Sequence, residues 1–332
     1  GPVWEAFNFA SMDQFKTLWP DEYKGGLPVI FNFMNNGYGM GGRTNGETMA
    51  YGELARIGAG INPDEMHAER VDGINPLAVI DVYKRKMKLL KENKGPVLLD
   101  ILTYRLGGHS TSDQNAYRSK EEIDAWTEID CIKVFRQQLV DAGVCTDADI
   151  DAMNEAIKAE ITEIMKVAKD LEISPRLDLV KDPDAIARYT FNNEKVAKMA
   201  DWPVEVLTPK EENPRVQKIA KKERASVVNG QPVSKLKQFS FRDGVFEAII
   251  DKFYEDPTLV AYGEDVREWG GAYGVYQGLS DSIPFNRLFN SPISESCIVS
   301  SGVGYGMCGG RAVIELMYCD FMGRAGDEVF NQ

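Results

Sequence analysis

The first third of the chain alternates helical spacing of apolar residues with short, unbroken apolar runs. Residues 1–19 carry apolar side chains at helical intervals, and Pro28 then opens the run VIFNFM. A later run, PVLLDILTYRL at 96–106, has the same character. Such runs are typical of strands that are buried on both faces of a parallel sheet. The order predicts an α/β fold, in which a parallel sheet carries helices on its faces.

Amphipathic spacing and capping residues predict helices around these runs. Asn75-Pro76 indicates a helix with proline at its first position, and Gly95 indicates its end. The predicted core stripe of this helix is Ile80, Tyr83, Met87 and Leu90. Capping-box signatures precede three later helices: Ser119 with Glu122, Thr146 with Asp149, and Ser240 with Asp243. The apolar face between 150 and 171 predicts that the middle one of these helices is a packing element.

The composition changes between residues 191 and 238, where charged residues and prolines are frequent and periodicity is lost. This is linker composition, so we predict one domain at 1–190 and another at 239–332. In the second domain, TLVAYGEDV and RAVIELM predict strands. The sequence does not begin with methionine and stops at EVFNQ inside a helical pattern, so we expect two incomplete domains of a longer protein.

Composition and charge disfavour several classes of protein. The 332 residues are 43% hydrophobic and carry a net charge of −13, whereas a general nucleic-acid binder needs a basic face. No apolar run reaches the length of about 18 residues that predicts a membrane span. The five cysteines form no CxxC pair and predict reduced thiols in a cytoplasmic protein. Three of them, Cys297, Cys308 and Cys319, are predicted to pack as small hydrophobes.

The loop NNGYGMGG, which follows VIFNFM, has more special residues than a turn requires. Ligands of α/β sheets bind beyond the carboxyl ends of strands, and this is where Asn36 and Tyr38 are predicted to lie. An amide oxygen and a backbone carbonyl suit Mg²⁺ or Ca²⁺, and glycines let the backbone approach phosphate. The alternative is a glycine-rich turn with asparagines in left-handed conformations.

Three further side chains each have a functional and a structural interpretation. His109, in the polar loop GGHSTSDQNAYR, is either a hydrogen-bond donor to a bound anion or an ordinary loop residue. The other histidine, His67, lies among charged residues and is predicted at the surface. Glu295, in SPISESC, begins a predicted helix and either stabilises its dipole or transfers protons inside a site. Glu264, at the strand end in GEDV, has the same ambiguity.

Four stretches, taken together and in this order, carry a family resemblance: NNGYGMGG, YRLGGHSTSDQNAYR with KEEID, GEDVREWGGAYGVYQGL, and PISE. They resemble the thiamine-diphosphate-dependent 2-oxoacid dehydrogenases, and more narrowly the decarboxylating first component of the pyruvate, branched-chain 2-oxoacid and acetoin dehydrogenase complexes. Residues 1–190 are similar to the later part of the alpha subunit, its pyrophosphate-binding domain. Residues 239–332 are similar to the opening part of the beta subunit, its pyrimidine-binding domain. The resemblance implies a parallel-sheet thiamine-diphosphate-binding fold, with two subunits joined in one chain.

In the first domain the resemblance assigns residues to the cofactor diphosphate and its Mg²⁺. Asn36 matches a metal ligand that acts through its side chain, and Tyr38 matches one that acts through its carbonyl. Gly39 and Met40, in the same loop, match cofactor contacts. His109 matches the loop histidine that contacts the diphosphate and shapes the active site.

In the second domain the resemblance assigns residues to the other end of the cofactor. Glu295 matches the catalytic glutamate that hydrogen-bonds the aminopyrimidine ring, and Glu264 matches a residue of a proton path between active sites. The pocket around the aminopyrimidine matches Ile293, Met317 and Phe321. The implied reaction decarboxylates a 2-oxo acid and passes the acyl group to the lipoyl arm of a dihydrolipoyl acyltransferase.

The chain departs from the family pattern at several positions. The GDG half of the metal motif should precede GPVWEAFN, so its aspartate ligand is missing, and we expect this stretch alone to be inactive and to bind the cofactor poorly. The segment 11–26 is longer than expected, and Gly108 stands where many relatives have histidine. The substrate is therefore left open among pyruvate, branched-chain 2-oxo acids and acetoin.

Two other hypotheses remain open on the sequence. One is a transketolase-like or deoxyxylulose-phosphate-synthase-like enzyme, which would transfer a ketol unit and would need more basic residues near His109. The other is a non-catalytic α/β scaffold that binds no cofactor. For the longer protein we expect a homo-oligomer, with neither a nucleic acid nor a membrane as a partner.

Overall fold

The computed structural model describes residues 2–50, 52–64, 66–190 and 196–332. The helices are α1 (Pro2–Ala10), α2 (Gln14–Thr17), α3 (Ala55–Ile61), α4 (Pro76–Lys91), α5 (Lys120–Glu128), α6 (Cys131–Asp141), α7 (Asp147–Lys169), α8 (Ala185–Thr190), α9 (Pro214–Ile219), α10 (Phe241–Glu255), α11 (Glu295–Met307) and α12 (Gly326–Phe330). The strands are β1 (Ile30–Asn35), β2 (His67–Asp72), β3 (Val97–Leu102), β4 (Val227–Val228), β5 (Gln231–Pro232), β6 (Leu259–Gly263), β7 (Leu288–Asn290) and β8 (Arg311–Ile314). Short 3₁₀ helices lie at Lys210–Glu212, Leu279–Asp281 and Cys319–Gly323. This alternation confirms the predicted α/β class.

The first sheet is parallel and has the strand order β1-β3-β2. Its central strand, β3, is buried along its length, as its unbroken apolar run predicted. For β1 the strand is confirmed but burial on both faces is wrong, because β1 lies at the edge of the sheet, none of its residues is buried and Met34 is 65% exposed. Strand β2 was not predicted, since HAERVD is mostly polar. His67, predicted at the surface, is half-buried at the start of β2.

The second sheet is also parallel and has the order β7-β6-β8. The predicted strands in TLVAYGEDV and RAVIELM are confirmed as β6 and β8. Strand β7 escaped notice because it has only three residues. Aromatic and aliphatic side chains from α10, β6 and β7 fill the core beside this sheet, among them Phe246, Ile250, Phe253, Leu259 and Leu288.

The helix at Asn75-Pro76 is confirmed, but its predicted core stripe is partly wrong. The Asn75 side chain caps α4 by accepting hydrogen bonds from two backbone N–H groups, and the helix ends at Lys91, before Gly95. Val82 and Leu90 are the residues that enter the core with β3. Ile80 and Met87 are 47% and 41% exposed, because the helix turns a neighbouring face toward the sheet.

Helix α7 has the predicted capping box at Thr146 and Asp149. Its predicted role as a packing element is wrong for the described residues: none of its side chains is buried, and Met153, Ile157, Ile161 and Ile164 are exposed. Helical periodicity therefore located the helix but not a partner for its apolar face. Within the described ranges, no helix combines the length and the apolar character that crossing a membrane requires.

The segment predicted as linker contains short elements and packs on the second sheet. Ile219 of α9 is buried in the second core, and Asn213, also buried, donates hydrogen bonds from Nδ2 to the Gly278 carbonyl and the Ser282 hydroxyl at 2.7 and 2.9 Å. Linker composition was thus a poor guide to packing here. The domain limits themselves stay a prediction, and the one after residue 190 adjoins residues 191–195, which lie outside the described residues.

All five cysteines are free, as predicted. Cys297 is buried in α11, which confirms its predicted packing. For Cys308 and Cys319 that prediction is wrong, because one lies just beyond the end of α11 and the other begins an exposed 3₁₀ turn.

The two halves of the chain meet where α1 packs on α11. The long segment 11–26 fills part of this junction, since Trp19 packs against Phe289 with ring centres 5.7 Å apart. Gln14 donates a hydrogen bond from Nε2 to the Asn290 carbonyl at 2.7 Å. The carboxylate of Glu5 accepts the Cys297 backbone N–H at 3.1 Å, in the first turn of α11. The structure thereby gives the unusual segment a packing role.

Candidate functional site

The loop after β1 presents two oxygen atoms at the carboxyl end of the strand. Asn36 Oδ1 accepts the Tyr38 backbone N–H at 2.9 Å, which closes an Asx turn around Gly37, at φ +73°. One lone pair of that oxygen remains for another partner. Among the described residues, no donor hydrogen-bonds the Tyr38 carbonyl oxygen. The glycine-rich turn and the oxygen-donor interpretations therefore coexist in one loop. The expected left-handed asparagines are wrong here, because neither Asn35 nor Asn36 has a positive φ.

A buried carboxylate fixes the start of this loop. Asp100, in the middle of β3, accepts a hydrogen bond from Asn35 Nδ2 at 2.9 Å and another from the Leu54 backbone N–H at 2.9 Å. Its side chain is fully buried, and Arg70 Nε lies 3.5 Å from Oδ2. A buried carboxylate needs such partners, so Asp100 ties the end of β1 to the beginning of α3.

Glu122 connects the loop after β1 to α5. Its carboxylate accepts hydrogen bonds from the Tyr38 hydroxyl at 2.5 Å, the Arg43 guanidinium at 2.6 Å and the Tyr104 hydroxyl at 3.2 Å. These bonds hold the pKa of Glu122 below its usual range. Burial, followed by the bond to Glu122, raises the pKa of Tyr38 to about 12. Ser119 caps the backbone N–H of Glu122, but the glutamate turns to Tyr38, so only half of the predicted capping box forms.

Arg118 and Arg105 connect the loop after β3 to the same cluster. The guanidinium carbon of Arg118 lies 5.5, 5.2 and 5.5 Å from the ring centres of Tyr38, Tyr104 and Tyr117. Arg105 donates from Nη2 to the carbonyl of Gly39 at 2.8 Å. Cation–π contacts and charge-assisted hydrogen bonds thus hold the loop after β1 against the loop after β3.

His109 is exposed on the loop after β3. Its backbone N–H donates to Asp113 Oδ2 at 2.7 Å, and this bond is the main reason that the pKa of Asp113 falls to about 2. No described residue hydrogen-bonds the His109 imidazole, so both ring nitrogens are open to a ligand. The histidine is thus held by its backbone while its side chain stays available.

A cleft of about 350 Å³ opens between the two loops. Asn36, Tyr38 and Tyr104 line it, whereas His109 does not. Gly39 is half-buried and Met40 is 70% exposed beside it. Within the described ranges no group of three or more His, Cys, Asp or Glu side chains is arranged to hold a metal ion. The amide and carbonyl oxygens still fit part of a Mg²⁺ shell, in which water and phosphate oxygens commonly complete six ligands.

The second candidate region is a group of carboxylates at the edge of the second sheet. Glu295 is the first residue of α11, as predicted, and Glu264 directly follows β6. Burial raises the pKa of Glu264, and the negative charges of Glu295, Asp265 and Glu315 raise it further. Like charges that oppose one another favour the protonated form of Glu264.

Glu315 is a member of this group that the sequence reasoning missed. It directly follows β8, which is parallel to β6, so both strands deliver a glutamate to the same edge. Its Oε1 accepts the Ala272 N–H at 3.2 Å, and burial raises its pKa. The signal was available, because RAVIELM places a glutamate at a predicted strand end, as GEDV does.

The predicted pocket around the aminopyrimidine is only partly enclosed. Met317 and Phe321 are half-buried, and Phe321 makes an edge contact with Tyr318. Ile293 is 80% exposed. Among the described residues, no hydrogen bond or ion pair joins Glu295 to Asn36 or His109. The structure therefore assembles two separate clusters, and the junction of α1 with α11 connects the domains that carry them.

Comparison with protein families identifies these two parts. The family model described as "Dehydrogenase E1 component" matches residues 1–175, which is more than half of the chain. The chain belongs to this family. Residues 237–332 match "Transketolase, pyrimidine binding domain". Both E1 parts are thiamine-diphosphate-binding folds, and the predicted resemblance to the first component of 2-oxoacid dehydrogenases is confirmed.

Curated relatives match between 51% and 59% of this chain. The chain is 32% identical over 170 residues to "Pyruvate dehydrogenase E1 component subunit alpha" of Rickettsia conorii, which covers 51% of this chain and 47% of the relative. The protein of the same name in Rickettsia prowazekii is 34% identical over 176 residues, or 53% and 48% of the two chains. The mitochondrial alpha subunit of Schizosaccharomyces pombe is 34% identical over 200 residues, or 59% and 42%. The chain thus spans about half the length of the curated relatives it matches.

Proposed function

We propose that this chain supplies cofactor-binding residues to an E1 enzyme that decarboxylates a 2-oxo acid and passes the acyl group to the lipoyl arm of a partner acyltransferase. One observation carries the proposal. In two matched domains, chemically different groups lie at the carboxyl ends of parallel strands: neutral oxygens after β1, and carboxylates after β6 and β8. This is where α/β sheets bind their ligands.

The first cluster suits the charged end of the cofactor. Asn36 Oδ1 and the Tyr38 carbonyl would hold Mg²⁺, and the open imidazole of His109 would donate to a phosphate oxygen. Gly39 and Met40 would contact the cofactor through the adjoining backbone. The clamp formed by Glu122 supports this proposal, because it anchors the Tyr38 and Arg43 side chains, while the Asn36 side chain holds the Tyr38 backbone N–H.

The second cluster suits proton handling. Thiamine diphosphate, when bound, supplies the nucleophilic carbon and the electron sink for decarboxylation. Glu295 would hydrogen-bond the aminopyrimidine ring nitrogen, with Ile293, Met317 and Phe321 around that ring. The pKa of Glu264 is raised, so this carboxyl can hold a proton closer to neutral pH than an ordinary glutamate does.

Further parts of the proposal rest on family resemblance. The relatives are named for pyruvate, and we propose a 2-oxo acid of this kind as the substrate. A fused arrangement of the alpha-like and beta-like parts and assembly into a homo-oligomer belong to the same proposal. A cytoplasmic location, which we also propose, rests instead on the free cysteines.

A calorimetric titration with thiamine diphosphate and Mg²⁺ tests the first cluster. In the natural protein that carries this sequence, Asn36→Ala should weaken Mg²⁺-dependent binding at least roughly tenfold, about 1.4 kcal/mol. Asn154→Ala, on the exposed surface of α7, is the matched control and should leave the affinity unchanged. Equal affinities of the two variants would remove Asn36 from the metal site.

Turnover of a 2-oxo acid tests the second cluster. Glu295→Gln should leave cofactor affinity largely intact and slow decarboxylation on the order of a hundredfold, since the amide cannot exchange protons as a carboxyl does. Glu160→Gln, exposed on α7, controls for the loss of one charge. Near-normal turnover of Glu295→Gln would mean that Glu295 only stabilises the start of α11 and takes no part in the reaction. Turnover of a ketose phosphate in place of a 2-oxo acid would instead favour ketol transfer.

A further inference from the structure

A second cleft, of about 280 Å³, lies between α9, the first turn of α10 and the loop at 274–281. It shares no lining residue with the two clusters described above. Its lining residues are Pro214, Arg215, Lys218, Ile219, Lys222, Arg242, Asp243, Gln277, Gly278 and Asp281. Four of them are cationic, although the chain as a whole carries a net charge of −13.

Two guanidinium groups of this cleft approach neighbouring carbonyls: Arg215 donates to the Gly274 carbonyl at 2.9 Å, and Arg242 donates to the Tyr273 carbonyl at 3.4 Å. Among the described residues neither of them forms a salt bridge with a carboxylate. Arg215 is half-buried over the ring of Phe246, and its Nη1 donates only to backbone carbonyls, those of Gly274, Val275 and Gln277. Burial lowers the pKa of Arg215, the positive charge of Arg242 lowers it further, and the negative charge of Asp243 offsets part of this effect. Repulsion of this kind is relieved when an anion binds between the two groups.

The other charged side chains of the cleft determine the net charge that a bound anion would meet. Lys222 and Asp243 neutralise each other in a salt bridge of 2.6 Å. In the described part of the chain, no salt bridge involves Arg215, Lys218, Arg242 or Asp281. Three cations and one carboxylate therefore leave two net positive charges around a concave space.

We infer that this cleft binds a small dianion bearing a phosphate group. A phosphate carries nearly two negative charges at neutral pH and has three acceptor oxygens, which match two net positive charges and three cationic donors. A carboxylate has one charge and two oxygens, and so satisfies fewer of these groups. The bound phosphate would connect Lys218 of α9 to Arg242 of α10, and would thereby hold the segment 210–220 against the second sheet.

Calorimetric titration of the 332-residue chain with inorganic phosphate at constant ionic strength tests the inference. We expect saturable binding, and roughly tenfold weaker binding after Arg242→Gln or Lys218→Gln, since each removes one charge-assisted hydrogen bond. Both residues are exposed, so the variants should remain folded. Acetate, titrated in the same way, should bind at least about tenfold more weakly than phosphate.

Lys221→Gln is the matched control. Lys221 is exposed next to the cleft but does not line it, so this variant makes the same charge change and should keep the wild-type affinity. Phosphate should also raise the melting temperature of the wild type and of Lys221→Gln, but not that of Arg242→Gln. An equal loss in all three variants would show general charge attraction, and an unchanged affinity in Arg242→Gln would place the phosphate elsewhere. Either result would overturn the inference.

Discussion

The two clusters at the sheet edges use glutamates in opposite ways. Around β1, the carboxylate of Glu122 accepts bonds from Tyr38, Arg43 and Tyr104, and its pKa is lowered. Around β6, Glu264 and Glu315 have few partners and lie near other negative charges, and their pKa values are raised. The same side chain is thus a fixed clamp in one domain and a proton-holding group in the other. Its surroundings, rather than its residue type, decide which.

The two clusters also differ in how firmly their side chains are held and in how their carboxyl groups titrate. Hydrogen bonds and cation–π contacts bind the loops of the first cluster to each other, which fixes the positions of the side chains that we propose for cofactor binding. In the second cluster burial disfavours the charged carboxylates, so Glu264 and Glu315 hold their protons to a higher pH than ordinary glutamates do. Changes in the first cluster should therefore mainly affect stability and binding. Changes in the second should mainly affect pH dependence.

The largest expected effect lies beneath the first cluster. Asp100→Ala removes a fully buried carboxylate and leaves the Asn35 amide, the Leu54 N–H and the Arg70 guanidinium without their acceptor. We expect the free energy of unfolding to fall by about 3 kcal/mol, because buried donors without an acceptor have neither a protein partner nor water to bond with. Urea denaturation of the variant and of Asp124→Ala, an exposed change on α5, measures the difference. Equal losses would mean that Asp100 does not anchor the loop.

A smaller effect is expected from the Glu122 clamp. Glu122→Gln removes the charge that pairs with Arg43 and should lower the free energy of unfolding by about 1 kcal/mol. It should also move the pKa of the Tyr38 phenol down from about 12, although burial will keep that pKa above its ordinary value of 10.0. Ultraviolet titration of tyrosinate, with Tyr38→Phe to assign the signal, measures this shift. Glu121→Gln, the exposed neighbour, should change neither quantity.

The smallest effect concerns pH in the second cluster. The pKa of Glu315 in the folded protein lies above the ordinary value of 4.5, so the folded state binds this proton more tightly than the unfolded state. The resulting stability is complete below pH 4.5 and is lost as pH rises through the raised pKa. Glu315→Gln cannot ionise, and should be more stable than the wild type at neutral pH by about a few tenths of a kcal/mol, since solvent screens the half-exposed carboxylate.

Denaturation of Glu315→Gln across the pH range gives the test. The advantage of the variant should vanish below pH 4.5, whereas Glu160→Gln should show no such dependence. A constant difference at every pH would mean that Glu315 does not titrate in the described way.

The sequence predicted strands and helix starts well where local chemistry decides them. The cap at Asn75, the capping boxes at Thr146 and Ser240, and the position of Glu295 at the start of α11 all follow from short-range hydrogen bonds. Burial was predicted less well, because it depends on distant neighbours. Met34 and Ile80 are apolar yet exposed, and the sequence could not show which face of an edge strand or helix has a partner.

In the candidate site, too, local features were predicted and contacts between distant residues were not. Strand ends predicted the positions of Asn36, His109 and Glu264, and the roles that the resemblance assigns to them stay predictions. The clamp at Glu122 was not predicted, since it joins residues 79 and 84 positions apart along the chain. Its glutamate looked like half of a capping box, and only the folded loops reveal its second set of partners.

The bond between Glu5 and the backbone of Cys297 has a consequence for how the molecule assembles. These residues are 292 positions apart, and the neighbouring contact of Gln14 with Asn290 spans 276. Almost the entire chain must be in place before the junction can close, so its formation belongs to a late step of folding. The intervening chain keeps the two surfaces at a high effective concentration. A proteolytic cut between residues 220 and 238 would leave every contact of the junction intact, yet would make its re-formation bimolecular and dependent on dilution.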